Sequence, residues 1–396
     1  MKSATLLRLL QMTWGSPVFH DSFPPTVTTN PRAVLHLIEA VHNQTVEQLR
    51  PVLRIGLPEA VESDFDELIR QVVPKTTAFC SAIPAGEVDS VPHLTAAAVA
   101  IATSYWADQS MDRGDDAMLT AVYLLNHPER VPALTQTLAS LIHARLGALR
   151  HIELNARYLA LPEDVPHVVR CIAHDVLFNQ AQMRELSRRY LIEGGGLLFW
   201  STNAKRIAEL LVADAGLPSA LTPIYAIYRR QRPELPSLDE IYSQPQIVET
   251  LSILNSAVRV FDDFGDRQID EGRFADWGAL NINVFNQTNP KLLRAFLREA
   301  RVNDLAQQES LLTAFQTKTP EADQFIAQTF LRHVRDQIAH LKVHWTPASN
   351  RYAVFLRLAQ RVMEAGYVNY LGDIALAGTR QLDPNKATLT TSAESV

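Results

Sequence analysis

LTAAAVAIATSYWADQSMDRGDD, residues Leu94–Asp116, decides how this chain folds. Leu94–Trp106 is small and apolar on nearly every side, the composition of a central helix packed from several directions. The stretch then turns acidic. At about 100° per residue, Asp108, Asp112, Asp115 and Asp116 lie at about 0°, 40°, −20° and 80° around a helix, so one face collects them all. Gly114 loosens the helix before a shorter segment that starts at Asp115.

A second stretch repeats the design. The apolar run Leu251–Phe261, LSILNSAVRVF, leads into Val260–Asp270, VFDDFGDRQID. Asp262, Asp266 and Asp270 fall at about 0°, 40° and 80°, with Asp263 alongside. Like charges at this spacing cost a helix roughly 0.2–0.5 kcal/mol per pair. Hard divalent cations remove that penalty, and Mg²⁺ is commonly held by a few carboxylates together with a ligand's phosphates. The two acidic rims read as a diphosphate–metal site.

Outward from these stretches the chain is helical. Asn30 and Pro31 open the first helix, which follows a proline-bearing arm, residues 1–30. Further helical runs are expected at Ser63–Ile83, Pro132–Leu149 and Val165–Ile192, the last stopped at Gly194–Gly196. Ser201 or Thr202 should cap a helix over Asn203–Ala215, and Ser237 with Glu240 spells a capping box. The loop after Asp270 carries LNINVF, a possible short extended piece. Helical runs return at Pro290–Arg301, Asp304–Phe315, Pro320–Trp345 and Arg351–Ala377. The predicted architecture is all-α, one large helical bundle over residues 31–377 around a central apolar cavity. Residues 378–396 form a polar tail of disordered composition.

The chain has 396 residues, 47% hydrophobic, with only 15 glycines, which favours long helices. A net charge of −6 supplies no basic field for nucleic acid. Cys80 and Cys171 lie in apolar helical contexts without metal spacing and read as buried thiols of a reducing compartment. Arg8 interrupts the N-terminal apolar run, and no uninterrupted apolar window reaches the roughly 18 residues of a membrane span. The expected location is cytoplasmic, with a homodimer possible.

With both acidic stretches placed, the chain resembles the class I isoprenoid synthases, the all-helical prenyltransferases and terpene cyclases. Asp108-Gln109-Ser110-Met111-Asp112 looks like the DxxxD of the squalene/phytoene-synthase branch, and Asp262-Asp263-Phe264-Gly265-Asp266 like the DDxxD of prenyl diphosphate synthases. Asp262, Asp266 and Asp270 also occupy the spacing at which cyclases carry Asn, Ser/Thr and Glu. Asn350-Arg351-Tyr352 is similar to the C-terminal Arg-Tyr pair of microbial cyclases.

The resemblance implies Mg²⁺, three ions, held by Asp108, Asp112, Asp262, Asp263, Asp266 and Asp270. It implies an isoprenoid diphosphate substrate, with Arg351 and Tyr352 joining the catalytic set. Arg113, Lys205, Arg229, Arg230 and Arg267 are candidates for diphosphate contact, and Trp106 and Phe261 for the wall that faces a carbocation. Cyclisation of a single diphosphate is the expected reaction. Condensation of two diphosphates, and a non-catalytic helical binding protein, are the alternatives.

Overall fold

The computed structural model describes residues 31–84, 87–88, 90–128, 136–193, 197–213, 215–265, 290–317, 319–344, 349–363 and 365. The expected arm 1–30, tail 378–396 and loop after Asp270 lie outside the described residues. Helices and turns make up the described chain, with no strand among the described residues. The helices are α1 (Pro31–Gly56), α2 (Glu62–Ala82), α3 (Val91–Asp112), α4 (Asp116–Asn126) and α5 (Gln136–Leu159). Then come α6 (Val165–Val169), a π-helical segment (Arg170–Phe178), α7 (Asn179–Glu193), α8 (Leu197–Ala213), α9 (Leu217–Gln231) and α10 (Leu238–Tyr242). Helices α11 (Pro245–Gly265), α12 (Pro290–Glu299), α13 (Leu305–Thr317) and α14 (Pro320–His344) follow, then a 3₁₀ turn (Ser349–Tyr352) and a last helix, α15, over 353–363.

The alanine-rich run behaves as its composition requires. Leu94 through Ser104 are all buried in α3, which packs against α1, α2, α5, α7, α9 and the π-helical segment. Small side chains let these helices approach closely. The tightest point is Gly56, at the end of α1: a Cβ there would overlap the Trp106 ring and stand 2.9 Å from Ala148 Cβ. Helix α3 stops where glycine was expected to loosen it, since Gly114 takes φ +85° and Asp115 caps α4 by accepting from the Met118 amide at 2.9 Å.

Contacts along the helices fix their directions. Thr95, near the start of α3, meets Gln44 midway along α1, and Trp106, near the end of α3, meets Gly56 at the end of α1, so these two run parallel. Helix α5 runs opposite: Arg145, early in α5, bonds Asp115 beyond the end of α3, while the Tyr158 ring lies 5.3 Å from that of His93 at its start. The end of α9 joins this second end, with Arg230 donating to the Ala160 carbonyl at 3.0 Å. So does α10, where the Leu238 amide donates to Asp164 Oδ1 at 2.9 Å. Helix α11 departs from there and packs against α9, α8 and α14.

Helix α8 begins earlier than its capping residues suggested. Ser201 and Thr202 are exposed positions inside it, so tertiary packing of Phe199 and Ile207 overrides a local cap signal. The stretch Ser201–Gln231 is long and apolar enough by composition to cross a membrane, yet 76% of its apolar window is buried within the bundle. Core helices of bundles share that composition. Both cysteines are buried, which pushes the Cys80 thiol up to about 12 and Cys171 to about 11.

Two outcomes follow from this packing. Gly56→Ala overpacks a site walled by Trp106 and Ala148 and should destabilise the protein by about 1–3 kcal/mol in urea unfolding. Burial is also the leading cause that holds His42, His93, His151 and His333 below the ordinary imidazole value of 6.5. The unfolded chain therefore takes up protons at a higher pH than the folded one. Stability is present above that value and is lost as pH falls through it, so the urea midpoint should drop between about pH 7.5 and pH 5.5.

Candidate functional site at the acidic end of the bundle

From His93 to Asp112 helix α3 rises about 28 Å, and from Pro245 to Asp262 helix α11 rises about 26 Å. Both start at the end marked by Arg230, Asp164 and Leu238. Each acidic C-terminus therefore lies about one helix length along its own axis from that shared start. Helix α9 packs against both. Among the described residues α3 and α11 are not principal packing partners of each other.

The first acidic cluster divides into two parts. Asp115 is a structural hub: besides capping α4 it receives Arg145 Nε at 2.9 Å. The Arg145 side chain is only 5% exposed and also donates to Glu59 Oε1 at 2.7 Å and to the Gly56 carbonyl. Asp108 and Asp112 are half-buried and lie on the opposite side of α3 from Trp106. Asp112 and Asp116 act on the buried Arg184 of α7. Desolvation pulls the Arg184 guanidinium below its ordinary value, Asp112 and Asp116 raise it, and Arg188 opposes them. Arg188 donates to Asp116 Oδ1. Arg113 turns the other way and donates to Gln71 Oε1 at 2.9 Å.

In the second cluster one arginine serves two carboxylates. Arg259 Nη2 lies 2.8 Å from Asp262 Oδ2 and 2.5 Å from Asp263 Oδ1, one helical turn along α11. Asp263 is fully buried, whereas the Asp262 side chain is 28% exposed. Asp266, Arg267 and Asp270 lie outside the described residues. No group of three His, Cys, Asp or Glu among the described residues stands ready to hold a metal ion.

Protein-family models, curated proteins and solved structures were all compared with this chain, and none matches.

The remaining candidates divide by position. Trp106 is fully buried against Gly56 and Ala148, and Phe261 is fully buried in the core. Lys205 projects outward at 82% exposure, 3.7 Å from Glu209. Arg229 is buried in an ion pair with Glu163 at 3.0 Å and Asp164 at 3.4 Å, and Arg230 holds the Ala160 carbonyl, both at the end remote from the acids. Arg351 also lies there, 2.9 Å from Glu240 of α10, with its guanidinium over the Tyr352 ring. The structure thus does not bring Arg351, Tyr352, Arg229 or Arg230 to the carboxylates of α3 and α11. The arginines it does bring are Arg145, Arg184, Arg188 and Arg259. Of these, Arg259 alone had a local signal, its i+3 and i+4 spacing to Asp262 and Asp263.

Arg145→Met should strand the buried Gly56 carbonyl and the Asp115 cap, lowering stability by about 1–3 kcal/mol in urea unfolding. Arg188→Met, which removes a largely exposed pair, should cost below about 1 kcal/mol in the same measurement.

Proposed function

We propose that this chain is a Mg²⁺-dependent class I isoprenoid synthase that ionises an isoprenoid diphosphate and cyclises the resulting carbocation. The observation that supports this most is a pair of helices that leave one end of an all-helical structure and each finish in aspartates, with arginines beside each. Asp108 and Asp112, one turn apart and half-buried, offer the hard oxygen donors Mg²⁺ takes, and Asp262 has an exposed edge. A preassembled three-residue cage is unnecessary, because Mg²⁺ is often held by one or two carboxylates plus substrate phosphates.

In this reading Asp108, Asp112 and Asp262 hold the metal, and Asp266 and Asp270 extend the second motif. Bound magnesium supplies the positive charge that favours departure of diphosphate. Arg184 and Arg188 would take the anionic end of the substrate, since Asp112 and Asp116 act on Arg184 and Arg188 donates to Asp116. Guanidinium groups suit that role because they stay charged and bind phosphate oxygens with two N–H groups at once. Arg229 and Arg351 are given no part in it. Asp263, fully buried against Arg259, acts as an anchor for that arginine rather than as a metal ligand.

A second reading is a non-catalytic bundle whose carboxylates serve internal arginines. The Arg145–Asp115 and Arg259–Asp263 pairs favour it.

The two readings separate in one assay. The purified chain is incubated with Mg²⁺ and geranyl, farnesyl or geranylgeranyl diphosphate, with and without isopentenyl diphosphate, and products are identified by mass spectrometry. Cyclic hydrocarbon from one diphosphate supports the proposal, and longer or coupled diphosphates indicate the condensing alternative. Asp108→Asn and Asp112→Asn should each lower kcat by about 10²-fold or more with circular dichroism unchanged. Arg351→Ala, remote from the acids, should leave kcat within about twofold. Absence of turnover with every substrate overturns the proposal.

A further inference from the structure

The helix that runs from α6 through α7 winds unevenly. Val165–Val169 and Asn179–Glu193 are α-helical, and Arg170–Phe178 between them is π-helical, each of its turns taking in an extra residue. The sequence shows what the wider winding does. Carried on at about 100° per residue from the fully buried Val168, an uninterrupted α-helix would bring Asp175, Asn179 and Gln182 to the Val168 face, at about −20°, 20° and −40°. Leu177, Ala181 and Arg184 would lie opposite, at about 180°, −140° and 160°. The structure does otherwise: Leu177, Ala181 and Arg184 are buried, and the three other polar residues are only partly so. Arg170 Nε lies 3.4 Å from Asp175 Oδ2, a pair five residues apart that an α-helix sets about 140° from each other.

What holds this register comes from outside the helix. Asn126, the last residue of α4, donates from Nδ2 to the Ala173 carbonyl at 3.1 Å and to the Val122 carbonyl at 2.9 Å. With both amide hydrogens spent, its Oδ1 accepts, and it takes a hydrogen bond from His174 Nδ1 at 2.8 Å. Tyr123 and His127, on either side of Asn126, bring their rings to 5.5 Å and 5.3 Å from that of Phe178, the last residue of the segment. Helix α4 thus grips the π-helical segment at its middle and at its end. The other holds are weaker. Thr222 and Tyr242 reach the start of the segment only through the Cys171 sulfur, at 3.5 Å. The Arg170–Asp175 pair is partly exposed and adds little.

We infer that Asn126 is a positioning residue: by holding Ala173 and His174 it fixes the π-helical register, and that register sets which side chains of α7 face α3 and α4. The side chains so placed are Arg184, on which Asp112 and Asp116 act, and Arg188, which donates to Asp116 Oδ1. Giving up one residue of the wider winding would turn α7 by about 100° and carry both guanidinium groups off these acids. A π turn is uncommon by itself, so a donor inserted at one of its carbonyls is the element that selects it. The inference stands apart from the isoprenoid-synthase reading, because neither metal nor substrate enters it.

Urea unfolding of the full-length chain tests this through a double-mutant cycle of Arg184→Met and Asp112→Asn, run once with Asn126 and once with Asn126→Ala. With Asn126 in place the two sites should be coupled by about fivefold or more in the folding equilibrium constant. With Asn126→Ala the coupling should fall to within about twofold of none. A second cycle, Arg145→Met with Asp115→Asn, does not pass through the π-helical segment and should keep its coupling in both backgrounds. A merely structural role for Asn126 lowers the stability of every member alike and leaves the Arg184–Asp112 coupling intact, which overturns the inference. Absence of that coupling in the chain that keeps Asn126 overturns it too, as does joint loss of both couplings, the mark of general loosening. Should Asn126→Ala fail to fold, Asn126→Asp takes its place with the same expected outcomes, since it keeps the acceptor for His174 and loses the donor to Ala173.

Discussion

The whole arrangement depends on a helix that has no polar side to turn toward water. From Leu94 to Ser104, α3 is buried all round, so neighbouring helices must enclose it and their directions must be compatible along its full length. Two close approaches secure this: Gly56 against the Trp106 ring, and the Arg145 guanidinium reaching across to Asp115 and the Gly56 carbonyl. Neither is a large interaction beside the apolar burial they accompany. They matter because a core of alanines lacks bulky knobs, and its register needs specific contacts at its ends.

The same constraint delivers the acids. A buried helix can carry charge only where it emerges, and α3 emerges at Asp108–Asp112. Helix α11 obeys the same rule at Asp262. The path through α9 and α10 returns the chain to the starting end of α3 before α11 sets out. Buried ion pairs fasten that returning end, Arg229 with Asp164 and Arg361 with Glu87 among them.

Much of this was legible in the residues themselves. The α3 boundaries, its stop at Gly114, the Ser237 capping box and the all-helical class all follow from local pattern, because each rests on neighbours within one or two turns. Tertiary roles were less legible. Trp106 and Asp108 are two residues apart and cannot share a helix face, so a tryptophan beside a motif in sequence need not stand beside it in space. Arg229–Arg232 reads as a surface run, yet Arg229 is buried because Asp164, from a distant loop, meets it. Arg351 and Tyr352 resemble a diphosphate-binding pair by spelling alone, and Glu240 claims the arginine at the opposite end. Arg184 and Arg188 gave no signal, since their partners come from another helix.

Helix direction adds one more term to the acidic end. Both α3 and α11 end in a carbonyl terminus beside aspartates, and aligned peptide dipoles place about half a negative charge at each such terminus. The carboxylates therefore sit on ground that is already negative before any side chain ionises. At α3 that bias is offset where α4 begins, because its amide terminus starts at Asp116, four residues beyond the last aspartate of α3.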